Sequence, residues 1–225
     1  MDQMKRFAVY FAPRPGAFAT RATAWLGWDV ETGQPVAQPD LPDLARITAE
    51  PRKYGFHGTL RAPFRLGQGV DVRAVQNTVA ALAGRLAPAQ CEGLQLVNLE
   101  GFLALVPRGD DREIKNLAAE VVAATNGLRA PLTEAEVARR RPESLTEPQR
   151  ELLSVYGYPF VFEEFQFHLT LTGRLPQDEA HAVASTVAAQ FALVLPDPFV
   201  IEDLCLFGED AEGRFHLLHR YALTG

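Results

Sequence analysis

The stretch FHGTL at residues 56–60 returns as FHLTL at residues 167–171. Phe, His, Thr and Leu match, and the surroundings match as well. After the first copy comes DVRAVQNTVAALAGRLA (71–87), with Val72, Val75, Val79, Leu82 and Leu86 at helical spacing and Asp71 as a candidate N-cap. Two apolar runs follow, GLQLVNLE and GFLALVP, joined at Glu100-Gly101 and read as a β-hairpin. After the second copy comes PQDEAHAVASTVAAQFA (176–192), a helix that opens with proline and acids. PFVIEDLCLFGED and GRFHLLHRYAL then form another hairpin, turning near Asp210–Gly213. A chain that repeats strand, helix and hairpin in one order is constrained to a duplicated unit. The expected fold is α+β, with two pseudo-symmetric lobes around a central cleft, each an antiparallel sheet packed with helices. The lobe-forming repeats run over about 53–107 and 163–223, within a single bilobal domain of residues 1–225.

The rest of the chain is fitted around the repeats. RFAVYFAP (6–13) reads as a first buried strand, closed by Pro13, Pro15 and Gly16. A short helix is expected around 17–27, and another over about 111–126, ended by Asn126-Gly127. Residues 128–160 have no counterpart in the first half. They carry two helix-start signatures, Thr133 with Glu136 and Thr146 with Gln149, and read as a helical insertion that serves as a lid or a connector.

Side chains alternate faces along a strand. His57 and Thr59 therefore share one face, and Phe56, Gly58 and Leu60 share the other. His168 and Thr170 share a face that Thr172 continues, with Phe165, Phe167, Leu169 and Leu171 opposite. Alternation carries the first polar face forward to Arg61 and back to Gly55 and Lys53. If the repeats pair by a pseudo-two-fold, two imidazoles and two hydroxyls face one ligand. Histidine titrates near neutrality, so one ring can accept a proton while another donates one. Phosphodiester cleavage needs that pair, and hydroxyls with a cation such as Arg61 suit the non-bridging oxygens. Tyr54 and Lys53 flank the first motif as cleft candidates. Arg140, in the run at 139–141, is a candidate for an insertion residue reaching an anionic substrate.

Composition narrows the function classes. A net charge of −6 and a pI near 5.4 argue against a protein that holds long nucleic acid by its phosphates. A small anionic phosphoester, or a short oligonucleotide, needs only a few local cations. Cys91 and Cys205 lie in apolar surroundings without zinc spacing, so they read as buried thiols in a reducing, cytoplasmic setting. The apolar run of the N-terminal stretch is too short for a membrane span and lacks a cleavage pattern. There is no Gly-rich phosphate loop and no legible Ser-His-Asp order.

The two motifs, His57-Gly58-Thr59-Leu60 and His168-Leu169-Thr170-Leu171, resemble those of the 2H phosphoesterase superfamily. The flanks KYGFHGTLRAPFRL, EVARRRPESLT and YGYPFVFEEFQFHLTLTGRL look like one branch of it, often found with phosphonate-degradation genes. The resemblance implies metal-independent chemistry, with no cofactor, on cyclic phosphodiesters or oligonucleotide ends. It makes His57 and His168 the base and acid, and Thr59 and Thr170 the holders of phosphate oxygens. Arg61 rests on strand alternation alone. The expected activity is hydrolysis of a small cyclic phosphodiester, with a ribose cyclic phosphate from phosphonate breakdown as the candidate. The alternatives are processing of RNA ends or nucleoside 2′,3′-cyclic phosphates, and a non-catalytic phosphate-ligand binder.

Overall fold

The computed structural model describes residues 4–225; Met1–Gln3, the start of the expected domain and of the N-terminal stretch, lie outside it. In chain order the elements are β1 (Arg6–Phe11), α1 (Ala17–Leu26), β2 (Trp28–Asp29), β3 (Gln34–Pro35), α2 (Leu44–Ile47) and β4 (Gly58–Phe64). Then come α3 (Val72–Ala83), β5 (Ala89–Cys91), β6 (Gly93–Leu99), β7 (Phe102–Arg108), α4 (Arg112–Thr125), α5 (Glu134–Arg139) and α6 (Glu147–Tyr156). The chain finishes with β8 (Leu169–Thr170), α7 (Gln177–Phe191), β9 (Phe199–Ile201), β10 (Asp203–Glu209) and β11 (Phe215–Ala222). The helices expected from spacing are present within a few residues of their expected ends. Asp71 caps α3 by accepting from the Ala74 N–H, and both insertion signatures form complete capping boxes, Thr133 with Glu136 and Thr146 with Gln149.

Seven strands make one antiparallel sheet in the order β11-β10-β1-β4-β8-β7-β6. The α+β class holds, and the repeats are joined more closely than two side-by-side lobes. The hairpin β6–β7, which follows the first motif, pairs with the second motif strand β8. The hairpin β10–β11, which follows the second motif, lies on the side of β4, with β1 between. The helices cross over likewise: α3 packs on β10 and β11, and α7 packs on β6 and β7. β5 and β9, equivalent in the two repeats, pair with each other, Gln90 opposite Val200.

The sheet has two unlike faces. Phe7, Val9, Phe11, Leu60, Leu105, Leu169 and Leu206 face the helices and join Trp25, Val79, Val121 and Phe191 in the main core. Burying each such side chain stabilises by roughly 1.5–3 kcal/mol relative to leaving it in water. On the other face Ala8, Tyr10, Cys205, Phe207 and Phe215 make a smaller cluster, closed by Trp28 and Val30. Cys91 and Cys205 are free and buried, as their surroundings suggest. Among the described residues no helix is long and apolar enough to cross a membrane.

Candidate functional site

Where β4 meets β8, Gly58 is the partner of Leu169. In an antiparallel pair this register sets His57 opposite Thr170 and Thr59 opposite His168, all on the face away from the helices. The two motifs thus lie head to tail about a local two-fold. Cross-strand geometry puts the diagonal His57–His168 pair roughly 7–8 Å apart at the backbone. The other face of the pair explains the glycine: a Cβ on Gly58 would lie 2.3 Å from Cζ of Phe167. The strand approach therefore requires a residue without a side chain there.

Both imidazoles are held the same way. His57 Nδ1 donates to the Gly55 carbonyl at 3.0 Å, and His168 Nδ1 donates to the Gln166 carbonyl at 2.9 Å. A carbonyl accepts and cannot donate, so each Nδ1 carries a proton and each Nε2 of the neutral ring is left as an acceptor. In both copies the partner is the carbonyl two residues earlier. Gly55 provides it from a left-handed turn at φ +66°, pressed against Val30. The Thr59 hydroxyl lies 3.4 Å from His57 Nε2.

Tyr10, from β1, stacks on His57 with ring centroids 3.9 Å apart and planes inclined by 27°. Tyr54 meets the same ring edge-on at 5.4 Å. This enclosure disfavours the charged imidazole; the hydrogen bond to the Gly55 carbonyl opposes it, and repulsion from His168 adds a lesser lowering. The pKa of His57 is pulled down to about 4, so the ring is neutral at physiological pH. Burial pushes the Tyr10 hydroxyl far up, and that of Tyr54 up to about 12. His168 sits beside Phe102, 5.8 Å between centroids.

The other candidates divide. Tyr54 is at the site. Arg140 lies over the Tyr158 ring at 4.8 Å and makes no contact with either histidine. Arg61 does not share the histidine face. Tyr10 pairs with Thr59 but Val9 pairs with Arg61, so β4 carries an extra residue and the alternation breaks. Arg61 is 1% exposed and reaches instead toward the insertion, donating to the Tyr156 carbonyl at 3.0 Å and the Asn126 side chain at 3.5 Å. Its Nε has no hydrogen-bond partner, and burial with Arg129 nearby lowers its pKa to about 10. Thr172 also leaves the face. Leu171 and Thr172 both donate their N–H to the Leu103 carbonyl, and the Thr172 hydroxyl accepts from the Leu103 N–H at 2.9 Å. It is a buried repair of a local irregularity. Lys53 points to solvent in an ion pair with Glu50 at 2.8 Å. Of the second motif stretch, 167–171, only Leu169–Thr170 is in the sheet, after a 3-10 turn at Phe162–Glu164.

Tyr10 is the residue that sequence reading missed. RFAVYF puts Phe7, Val9 and Phe11 on one face and Arg6, Ala8 and Tyr10 on the other, so a polar face was visible; its place beside β4 was not. Among the described residues there is no group of three His, Cys, Asp or Glu side chains fit for a metal ion. A cavity of about 650 Å³ borders the insertion, lined by Arg129, Leu132, Val137 and Leu153 among others and by neither histidine.

A family model described as "Protein of unknown function (DUF1045)" matches residues 59–216, well over half of the chain. "Ribose 1,5-bisphosphate phosphokinase PhnN" of Janthinobacterium sp. (strain Marseille) is 35% identical over 222 residues, covering 94% of this chain and 49% of that one. The protein of the same name from Laribacter hongkongensis (strain HLHK9) is 38% identical over 221 residues, covering 96% and 51%. The chain spans about half the length of these curated relatives. Among solved structures, E. coli LigT complexed with 3′-AMP aligns over 98% of this chain and 99% of that one, with 16% identity and a TM-score of 0.46, too distant to carry a functional argument.

Proposed function

This chain belongs to the family described as "Protein of unknown function (DUF1045)", and we propose that it is a two-histidine phosphodiesterase acting on a small cyclic phosphodiester. The observation that carries the reading is the head-to-tail pairing of the two His-x-Thr motifs across Gly58 and Leu169, with both Nδ1 atoms tied to carbonyls.

A water molecule attacks phosphorus while neutral His57 Nε2 takes its proton. The P–O bond to one ring oxygen breaks in line with that attack, and His168, protonated on Nε2, gives the leaving oxygen its proton. The products are a phosphomonoester and a free hydroxyl, and the two histidines end with their protonation exchanged. The Thr59 and Thr170 hydroxyls donate to the non-bridging oxygens, where charge grows in the transition state. His57 takes the base role because its environment keeps it neutral; an arriving phosphate anion raises its basicity at the moment of use. No step needs a metal ion or a cofactor.

The phosphokinase name of the relatives supports a sugar phosphate as substrate. The chain has no GxxxxGK[ST] phosphate loop, so we assign it a reaction beside the kinase step rather than that step itself. A ribose cyclic phosphate fits, since its hydrolysis gives a ribose phosphomonoester, and the relatives' name is that of an enzyme of ribose phosphates.

The test is a panel of sugar and nucleoside cyclic phosphates, with and without EDTA, using the His57→Ala/His168→Ala double variant as control. Turnover that withstands EDTA and vanishes in the double variant is expected. Strong inhibition by EDTA, or turnover surviving in the double variant, rules the mechanism out.

A further inference from the structure

The seam between β4 and the insertion holds a buried charge that no acid balances. Arg61 is 1% exposed. Its terminal nitrogens go to neutral acceptors, the Tyr156 carbonyl and the Asn126 side chain. Its Nε is the one buried side-chain nitrogen or oxygen without a hydrogen-bond partner among the described residues. Burial and the nearby Arg129 draw its pKa down to about 10, which still leaves the guanidinium charged at neutral pH. A charge taken out of water is ordinarily paired, because leaving it alone costs far more than leaving a neutral group alone.

The surroundings add to the excess. A cavity of about 20 Å³ lies against Arg61, lined also by Phe64, Arg65, Arg129, Tyr156 and Tyr158. Arg129 too is held by neutral oxygens, those of Asn126, Ala130, Ser154 and Val155. Glu136 is the sole acid on the cavity wall among the described residues, and Arg65 takes both of its oxygens. Three guanidiniums thus meet one carboxylate, already paired with Arg65. The wall is built from both sides of the seam. Arg61, Phe64 and Arg65 come from β4 and its continuation, and Arg129, Tyr156 and Tyr158 come from the insertion.

The size of the cavity and the sign of the charge together select an occupant. A volume of about 20 Å³ admits a single water-sized body. Phosphate, sulfate and carboxylate, with several heavy atoms each, are too large. Water would give Arg61 Nε an acceptor but leave the charge unbalanced; a monatomic anion does both. We propose that this cavity is a binding site for a halide ion, chloride under ordinary conditions, held by Arg61 Nε and the charge of Arg129. The ion fastens the insertion to β4 from within the seam, and neither histidine lines its site.

The test is thermal unfolding of the full chain at one pH and ionic strength, with sodium gluconate exchanged stepwise for sodium chloride. Chloride should raise the melting temperature along a saturating curve, by about 3–6 °C once it stands tenfold above its dissociation constant. Bromide should act in the same way. Arg61→Met, which keeps the bulk of the side chain and removes the charge and the Nε donor, should flatten the curve. Arg112→Met, at an exposed arginine paired with Asp110, should leave it intact. No dependence on halide in the unaltered protein overturns the proposal and makes the cavity a water site. A dependence that survives Arg61→Met also overturns it, as a general effect of salt. Should Arg61→Met fail to fold, crystals of the unaltered protein grown with bromide decide. An anomalous peak in the cavity beside Arg61 Nε supports the site, and a cavity without one overturns it.

Discussion

The two copies of the His-x-Thr motif share a face and a tautomer but not their surroundings. His57 leads into a seven-residue strand in mid-sheet and lies under Tyr10. His168 leads into a two-residue strand and has Phe102 as its aromatic neighbour. The source of the difference is β1, which sits between β10 and β4, whereas β7 pairs directly with β8. Duplication provides two equivalent imidazoles; one unduplicated strand makes them unequal. A reaction that needs a base and an acid at once benefits from that inequality, because two identical rings compete for the same role.

The largest expected effect tests whether the inequality is functional. His57→Ala and His168→Ala should each lower kcat by about 10³-fold, within the usual range for a lost general acid or base. The low-pH limb of the kcat/KM profile should fall near pH 4 in the unaltered protein, set by protonation of His57. Tyr10→Ala should move that limb upward by relieving the enclosure; a limb that stays put would mean the two rings are equivalent after all.

Next come the hydroxyls. Thr170→Val should cost about 10²-fold in kcat through loss of one oxygen-holding donor, with little change in melting temperature. Thr172→Val should do the reverse. It leaves the Leu103 N–H without an acceptor, costing about 1–3 kcal/mol of stability while turnover persists. Thermal unfolding and steady-state rates on the two variants decide the matter.

A smaller effect concerns folding. His57 has an ordinary value of 6.5 and a folded value of about 4, so between those limits the unfolded chain binds more protons. Its neutral state contributes stability fully above about 6.5 and loses it as pH falls toward 4. His57→Gln should therefore make the melting temperature less steep with pH across that window; an unchanged slope would show that the enclosure does not depress the ring. Smallest of all, Lys53→Ala should change kcat/KM by less than about twofold, because its pair with Glu50 is exposed. A larger loss would return Lys53 to the site.

What could be read from the sequence was whatever is written locally. Helical spacing located α3, α4 and α7, and the capping boxes at Thr133 and Thr146 were legible because each needs only four residues. His57, Thr59, His168 and Thr170 were legible because alternation holds within the motif. It fails for Arg61 because the extra residue in β4 is set by pairing with β1, some fifty residues away. It fails for Thr172 because a carbonyl of β7 takes two N–H groups from β8's end. Tyr10 was hidden for the same reason: its face could be read, but its neighbour strand could not.

The crossed arrangement of the repeats has a consequence for how such a chain could arise and be divided. Each motif strand is followed by a helix and hairpin that complete the opposite half, so one repeat alone would expose a bare sheet edge and an unfilled helix surface. An ancestral half-length chain with this layout would have had to live as an intertwined pair. A chain cut today within the insertion should behave likewise, its two fragments remaining unstructured apart and regaining order only when mixed.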